Sequence, residues 1–142
     1  MKIQFIRTHS AARTPYRKYD TDAGWDLYVC DDKIIAPGHT VDVHTNVRIR
    51  MPEGLFARIV GRSSTLRLHG LVINEGIIDT DYTGELFICV HNVGSIPFHA
   101  VYGMRLAQII FQRVESAEWT EVEEFIISDD TRGTAGFGST GI

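Results

Sequence analysis

Residues 41–51 alternate between apolar and polar side chains, and this pattern constrains the fold more than any other feature of the chain. Val, Ile, Met and one Thr occupy the odd positions, whereas Asp, His, Asn and Arg occupy the even ones. A period of two residues is typical of a strand that buries one face and exposes the other. The sequence therefore predicts a long, half-buried β-strand here.

Three further apolar runs, at residues 55–60, 86–90 and 106–111, are too short for typical helices. They are nearly continuous, so we expect strands that are buried on both faces. Turn sequences rich in Pro and Gly separate the runs. With 142 residues, about the length of one average domain, the chain is interpreted as a single all-β barrel or sandwich.

Only one helix is expected, and it is very short. Ser63 or Ser64 is the predicted N-cap, and Gly70 is the predicted terminator. Residues 119–127 also fit helical spacing, but they are rich in β-branched side chains and lack a clear cap. We therefore interpret that segment as a strand.

Charge and cysteine content exclude several classes of function. A formal net charge of -4 provides no field to hold a nucleic-acid backbone, so no polymeric nucleic acid is expected as a partner. Cys30 and Cys89 are too few for a disulfide framework, and the N-terminus lacks the apolar stretch of a signal peptide. No apolar run approaches the roughly 20 residues of a membrane helix. We expect a cytoplasmic protein that contacts no membrane.

The C-terminal segment, residues 132–142, has the composition of a ligand-binding loop. Arg132 supplies a fixed cation, Ser139 and Thr140 supply hydroxyls, and Phe137 supplies an aromatic ring among glycines. These groups are the parts of a phosphate cradle with a ring that stacks on a base. It is not a P-loop, because no Lys follows the glycines. An unstructured terminus is the alternative that composition leaves open.

Internal segments carry further candidate groups. Residues 61–64 place a guanidinium and two hydroxyls before the predicted helix, where they can bind an anion or simply cap the helix. Asp79 belongs to an Asp-x-Asp turn that can hold a water or a metal-bound phosphate, or can be a solvated hairpin tip. Asp26 and Gln108 lie on two other predicted strands. None of these segments identifies a function alone.

Taken in order, five segments resemble the five motifs of the trimeric dUTPase (dUTP diphosphatase) family. They are AGWDL (23–27), GRSS (61–64), GIIDTDYTGEL (76–86), GMRLAQ (103–108) and RGTAGFGSTG (132–141). The resemblance covers nearly the whole chain. It implies a jelly-roll-like β-barrel of the dUTPase type over residues 1–131. It also implies a flexible, swapped lid, residues 132–142, over a neighbouring subunit's active site.

The resemblance implies a reaction and an assembly. The reaction is hydrolysis of dUTP to dUMP and diphosphate, by attack of water on the α-phosphorus with Mg²⁺ bound to the triphosphate. Such an enzyme limits uracil incorporation into DNA and supplies dUMP for dTMP synthesis. The implied assembly is a homotrimer with shared active sites, in the host cytoplasm if a phage or virus encodes the chain.

The resemblance also assigns residues to roles. Asp79 matches the catalytic carboxylate that orients the attacking water as general base. Tyr82 matches the residue that packs under the sugar and excludes the 2′-hydroxyl of UTP. Asp26 matches the carboxylate that holds Mg²⁺ through water. The other implied substrate-binding residues are Arg62, Ser63, Ser64, Asn74, Gly76, Ile77, Gln108, Arg132, Phe137, Gly138, Ser139 and Thr140.

The chain departs from the family pattern at two points, and two alternative functions remain open. Asn74 stands five residues before Asp79, where six is common, and Met104 replaces the aspartate that usually precedes Arg105. One alternative is a dCTP deaminase, or a bifunctional deaminase and diphosphatase, which shares the Arg-Ser-Ser motif but usually lacks the FGSTG tail. The other is a phage-type dUTPase with an added regulatory protein partner.

Overall fold

The computed structural model describes residues 1–125, and the predicted lid lies outside them. The expectations for Arg132, Phe137, Gly138, Ser139 and Thr140 therefore have no structural description. Within the described residues, no helix is long and apolar enough to cross a membrane. The elements are β1 (Gln4–Arg7), β2 (Trp25–Tyr28), β3 (Lys33–Ile35), β4 (Thr40–Arg50), β5 (Leu55–Gly61), α1 (Ser63–His69), β6 (Leu71–Ile73), β7 (Gly76–Ile78), β8 (Glu85–Asn92), β9 (Phe98–Ala100) and β10 (Arg105–Arg113).

Two four-stranded antiparallel sheets form the body of the fold. Their strand orders are β1-β4-β8-β6 and β2-β10-β5-β7, and β3 pairs with β9 in a smaller sheet. Strands that are neighbours in a sheet are far apart in the chain, so the chain crosses repeatedly between the sheets. This connectivity is typical of jelly-roll architectures. The all-β prediction is confirmed.

Apolar side chains from both sheets share one core, and β4 shows how the sequence pattern produces it. Val43 and Val47 are inaccessible to solvent, whereas Arg48 and Arg50 are exposed. The predicted alternation is therefore confirmed. Asn46 adopts a positive φ of 52°, and the pairing of β4 with β8 shifts register beside it. This irregularity bends the strand where it passes the candidate site.

The other apolar runs form strands, but the expectation that both faces are buried is wrong for the chain alone. In β8, Leu86 and Ile88 face the core and are fully buried. Phe87 lies between them and keeps 38% of its surface exposed. A continuous apolar run therefore does not guarantee two covered faces, because the outer face of β8 is only partly covered by the described residues.

The short helix ends as predicted but begins differently. Arg62, not a serine, is the N-cap, and Ser63 is the first helical residue. The buried Thr65 hydroxyl accepts the Arg62 backbone N–H at 3.2 Å and donates to the Leu106 carbonyl at 2.7 Å. The helix start is thus fixed by a contact to β10 that the local sequence does not reveal. Gly70 ends the helix with a left-handed φ of 63°.

The strand predicted for residues 119–127 is wrong over its described part. The last strand ends at Arg113, and residues 114–125 form neither helix nor strand. Trp119 is fully exposed, and Phe125 is 83% exposed. A β-branched composition produces a strand only beside a partner strand, and no strand of the described chain lies alongside this segment.

Candidate active site

Three predicted motifs meet in one cleft of about 430 Å³, which we call the phosphate-side cleft. Sheet register brings them together, because β10 lies between β2 and β5. Gln108 on β10 pairs with Asp26 on one side and with Val60 on the other. The motif residues that line the cleft are Gly24, Asp26, Arg62, Ser63, Arg105 and Gln108.

Asp26 is the electrostatic centre of this cleft. Its Oδ1 lies 2.6 Å from Nε of Arg62, and its Oδ2 accepts a hydrogen bond from Nη1 of Arg105 at 3.0 Å. Arg62 Nη1 also donates to the Arg105 carbonyl at 3.1 Å. One carboxylate thus orients two guanidinium groups, and the three side chains together retain a positive charge. Oriented guanidinium groups suit the recognition of phosphate oxygens.

Gln108 is held in the cleft by two backbone segments. Its Nε2 donates to the Gly61 carbonyl at 3.2 Å. A Cβ atom at Gly24 would collide with its side-chain oxygen, so only glycine leaves room for this side chain in its present position. The glycine of the first motif therefore positions the glutamine of the fourth.

The two serines of the second motif differ in exposure and in their position relative to the cleft. Ser63 is exposed and lines the phosphate-side cleft, whereas Ser64 is half-buried and is not part of its lining. The helix that carries them has Arg62 at its cap, so backbone N–H groups of its first turn are near the cleft.

Residues 16–19 also line this cleft, and the motif analysis missed them. Their sequence, Tyr-Arg-Lys-Tyr, alternates aromatic rings with cations, which is a signal that could have found them. The Arg17 guanidinium lies 4.8 Å from the centre of the Trp25 ring and 3.3 Å from Asp20. The run adds two cations to a cleft that already holds Arg62.

A second cavity of about 290 Å³ is formed by the third motif, and we call it the uridine-side cavity after the nucleoside that the resemblance implies. Its lining includes Gly76, Ile77, Asp79, Tyr82, Glu85 and Phe87. Strand β7 is the edge strand of its sheet and pairs only with β5 among the described strands. The peptide groups on its outer side are therefore available to bind a ligand, as edge strands commonly are.

A tight turn places the carboxylate of this cavity. The Tyr82 backbone N–H donates to the Asp79 carbonyl at 3.2 Å, which closes the turn. The Thr80 hydroxyl donates to the Leu55 carbonyl and ties the turn to β5. Asp79 remains exposed at the tip, where its carboxylate can reach a bound molecule.

The Tyr82 ring is fixed from two directions. Its hydroxyl donates to the Glu85 carbonyl at 3.0 Å, and a Cβ atom at Gly84 would collide with the ring. Glu85 is itself anchored, because its Oε1 accepts the Asn46 backbone N–H at 2.8 Å and lies 3.1 Å from Nδ1 of His44. The irregular part of β4 thus supports the wall of the uridine-side cavity.

Asn74 does not line the uridine-side cavity. Its side-chain amide donates to the Cys89 sulfur at 3.5 Å, on the turn that precedes β7. Burial and a hydrogen bond with Asp42 raise the pKa of the Cys89 thiol. The neighbouring Glu75 pairs with Arg58, and this hydrogen bond lowers the pKa of the Glu75 carboxyl. Contact of Asn74 with a base stays a prediction.

The structure therefore brings the predicted residues together in two groups. Asp79 and Tyr82 line one cavity, and Asp26 and Arg62 line the other. The two cavities have no lining residue in common within residues 1–125. The described part of one chain holds two partial sites.

Comparison with known proteins decides the family. The dUTPase family model matches residues 10–141 of this chain. The chain belongs to the dUTPase family. The deoxyuridine 5′-triphosphate nucleotidohydrolase of fowlpox virus is 37% identical to it over 144 residues, which cover 99% of this chain and 98% of the viral protein. The cowpox virus enzyme is also 37% identical, over 140 residues, with 99% and 93% covered.

Solved dUTPase structures share the fold. The dUTPase of Staphylococcus bacteriophage 80alpha with dUpNHpp superposes with a TM-score of 0.92 at 27% identity, with 99% of each chain covered. The dUTPase of phage phi11 of S. aureus has a TM-score of 0.83 at 26% identity, with 88% of this chain and 98% of the phage chain covered. A variant of the phi11 dUTPase coordinates a structural Mg(II) ion. The predicted dUTPase-type barrel is confirmed, and the dCTP deaminase alternative is not favoured.

Asp26 is the residue of this dUTPase that the resemblance places beside Mg²⁺. No group of three or more His, Cys, Asp or Glu side chains that could hold a metal ion occurs in the described part of the chain. Both carboxylate oxygens of Asp26 already contact guanidinium groups. A carboxylate engaged in this way can still accept hydrogen bonds from metal-bound water. The role predicted for Asp26 stays a prediction.

Proposed function

We propose that the chain hydrolyses dUTP to dUMP and diphosphate by Mg²⁺-assisted attack of water on the α-phosphorus. The observation that carries the proposal is the chemical complementarity of the two partial sites in a dUTPase. One site offers oriented guanidinium groups for a triphosphate, and the other offers an edge strand, a carboxylate and a tyrosine for a deoxyuridine. The reaction limits uracil incorporation into DNA and supplies dUMP for dTMP synthesis.

The uridine-side cavity selects the nucleoside and activates water. Asp79 is the general base, since its carboxylate is exposed at the tip of a turn that two hydrogen bonds hold in place. The Tyr82 ring packs beneath the sugar and leaves no space for a 2′-hydroxyl. Peptide groups of Gly76 and Ile77, on the outer side of β7, bind the uracil, whereas contact of Asn74 with the uracil stays a prediction.

The phosphate-side cleft holds the triphosphate. Arg62, Ser63 and Gln108 line this cleft and bind phosphate oxygens, and Ser64, beside the lining, is a further phosphate contact. Asp26 would hold Mg²⁺ through water. Mg²⁺, when bound, neutralises phosphate charge and withdraws electrons from the phosphorus that water attacks. The residues of the cleft then keep the α-phosphorus in line with the water that the general base orients.

We propose a homotrimer in which neighbouring chains complete each site. The two partial sites of one chain share no lining residue within residues 1–125, which suits an assembly in which a second chain completes each site. Residues 114–125 expose Trp119 and Phe125 instead of covering their own core, which suits a segment that extends onto a neighbour. The lid, residues 132–142, then closes the site of another subunit, with Arg132 and the hydroxyls of its FGSTG sequence on the γ-phosphate.

A substrate panel tests the reaction. dUTP, dTTP, dCTP and UTP are each supplied with and without Mg²⁺, and the release of diphosphate and ammonia is measured. We expect Mg²⁺-dependent diphosphate release from dUTP and little from the other three. Ammonia release from dCTP would instead identify a deaminase.

Complementation between two inactive variants tests the shared site. Asp79→Asn and Arg62→Gln chains should each lose activity. After subunit exchange in an equal mixture, about one quarter of the sites combine both intact halves, so activity should return. The same proteins mixed without exchange are the control. No recovery in trimers verified by sedimentation would place Asp79 and Arg62 of one chain in one site.

Other parts of the proposal concern the cell. The enzyme acts in the cytoplasm, of the host if a phage or virus encodes it, and two free thiols suit a reducing compartment. A regulatory protein partner stays a prediction.

A further inference from the structure

A second cleft adjoins the phosphate-side cleft and has no part in the proposed reaction. It is a shallow, open cleft of about 490 Å³, and its polar lining includes Arg7, Arg13, Tyr28 and Tyr102. Tyr16 lines both this cleft and the phosphate-side cleft, so it forms a shared wall. We propose that this arginine cleft binds inorganic diphosphate, and therefore receives the leaving group of the reaction; this assignment rests on the proposed function.

The charge of the arginine cleft favours an anion. Neither Arg7 nor Arg13 lies within 4.0 Å of a carboxylate in residues 1–125, in contrast to Arg62, whose charge Asp26 offsets. Among residues 1–125, no acidic side chain lines the cleft. Asp32 lies nearby, where its Oδ1 accepts the Tyr102 backbone N–H at 2.8 Å and its Oδ2 faces Nε2 of His99 at 3.7 Å. Within residues 1–125, no ion pair offsets the charge of Arg7 or Arg13, although the whole chain is acidic.

Within residues 1–125, Arg13 is positioned without using the hydrogen-bond donors of its side chain. Its guanidinium carbon lies 5.1 Å from the centre of the Tyr28 ring and 5.7 Å from that of Tyr102. Gly103 lies beside the guanidinium, and a Cβ atom there would lie 3.1 Å from Nη1 of Arg13, so Arg13 would have to shift by a few tenths of an ångström. Contacts with aromatic faces hold a cation but satisfy none of its N–H groups. A preorganised guanidinium with free donors suits an oxyanion.

Arg7 supplies the second cation. Its Nη1 donates to the Ala12 carbonyl at 3.3 Å, which ties the side chain to the rim of the cleft, and no described residue accepts a hydrogen bond from its other side-chain N–H groups. The hydroxyls of Tyr16, Tyr28 and Ser10 add neutral donors. Two cations with surrounding hydroxyls match the charge of diphosphate better than that of a single carboxylate.

Calorimetric titration with inorganic diphosphate tests the proposal on the intact protein. Arg7→Gln and Arg13→Gln should each weaken one binding event about tenfold or more, the scale of a lost charge-assisted hydrogen bond. Arg13→Lys, which keeps the charge but not the planar group, should restore part of the loss. Arg113→Gln is the matched control, since it removes an exposed charge elsewhere and should leave binding unchanged.

The same titration on Arg62→Gln separates this proposal from the proposed function. If only Arg62→Gln weakens diphosphate binding, the arginine cleft is not a diphosphate site, whereas the phosphate-side cleft remains one. Loss of binding in the Arg7 and Arg13 variants, with Arg62→Gln unaffected, would support the arginine cleft and count against the phosphate-side cleft. Absence of measurable binding to the parent protein would overturn the proposal.

Two further ligands identify the source of the phosphate. Inorganic phosphate should bind the arginine cleft more weakly than diphosphate, and binding of dUMP should not respond to Arg7→Gln or Arg13→Gln. If dUMP binding falls in these variants, the cleft receives the nucleotide product, and the assignment to the leaving group is wrong.

Discussion

Arg62 Nε and Asp26 Oδ1 lie 2.6 Å apart, which joins the second motif to the first. The Asp26 side chain is only 16% exposed, and its other oxygen contacts Arg105. Met104 stands where the family usually has an aspartate before this arginine. Asp26 is therefore the carboxylate that orients both guanidinium groups among the described residues.

Asp26→Asn should lower kcat/KM for dUTP by roughly 10- to 100-fold, the usual effect of losing an outer-sphere metal partner. It should also raise the Mg²⁺ concentration needed for half-maximal activity. Steady-state rates over a series of Mg²⁺ concentrations measure both effects. Asp31→Asn removes an exposed carboxylate and serves as the control. An unaltered Mg²⁺ dependence would contradict the role of Asp26.

Asp79→Asn should lower kcat by roughly 100-fold or more while much of the affinity for dUTP remains, because the amide is nearly isosteric with the carboxylate. Single-turnover kinetics and calorimetry with a non-hydrolysable dUTP analogue separate the two quantities. Asp81→Asn, in the same turn, is the matched control. If the turnover of Asp79→Asn stays within a few-fold of the parent, Asp79 is not the general base and Asp81 becomes the candidate.

Tyr82→Ala should raise kcat/KM for UTP relative to dUTP by roughly tenfold or more, because the ring no longer blocks the 2′-hydroxyl. Gly84→Ala should act in the same direction, since its Cβ atom would displace the ring. Tyr82→Phe keeps the ring and should keep the discrimination. Equal selectivity in all three variants would refute steric exclusion by Tyr82.

Gly24→Ala should impair dUTP hydrolysis through Gln108, whose side-chain oxygen occupies the place of the new Cβ atom. We expect kcat/KM to fall by about tenfold, the scale of one hydrogen bond to a charged phosphate. The double variant with Gln108→Ala should lose little more than Gln108→Ala alone, because both changes act on one contact. Fully additive losses would show that Gly24 acts independently of Gln108.

Thr65→Val should destabilise the fold by about 1–3 kcal/mol, because it leaves the buried Leu106 carbonyl and the Arg62 backbone N–H without their partner. Urea denaturation at fixed protein concentration measures the change. Thr83→Val, at an exposed side chain, should alter stability by less than about 0.5 kcal/mol. Similar values for both variants would mean that the Thr65 contact contributes little.

The sequence predicted what depends on local periodicity and missed what depends on distant partners. The alternation of β4 and the glycine that ends α1 follow from local geometry, and both were predicted. The start of α1 depends on the contact of Thr65 with Leu106, 41 positions away, so the prediction of a serine N-cap was wrong. The strand predicted for residues 119–127 was wrong over its described part for a similar reason, because composition does not reveal whether a partner strand is present.

The candidate site was predicted as an ordered series of motifs, but its spatial grouping was not. The register of β10 against β2 and β5 decides that Asp26, Arg62 and Gln108 meet. The edge position of β7 decides that Asp79 lies elsewhere. Sheet order is a long-range property, so the motif series alone did not predict that these residues divide between two cavities.

The separation of the phosphate-side cleft from the uridine-side cavity links activity to the amount of protein present. In the proposed assembly, a newly made chain has no turnover until it meets others. Specific activity should therefore fall on dilution, and the cellular rate of dUTP removal should rise more steeply than the number of chains. At low protein concentration, separate chains would therefore be inactive even when no inhibitor is present.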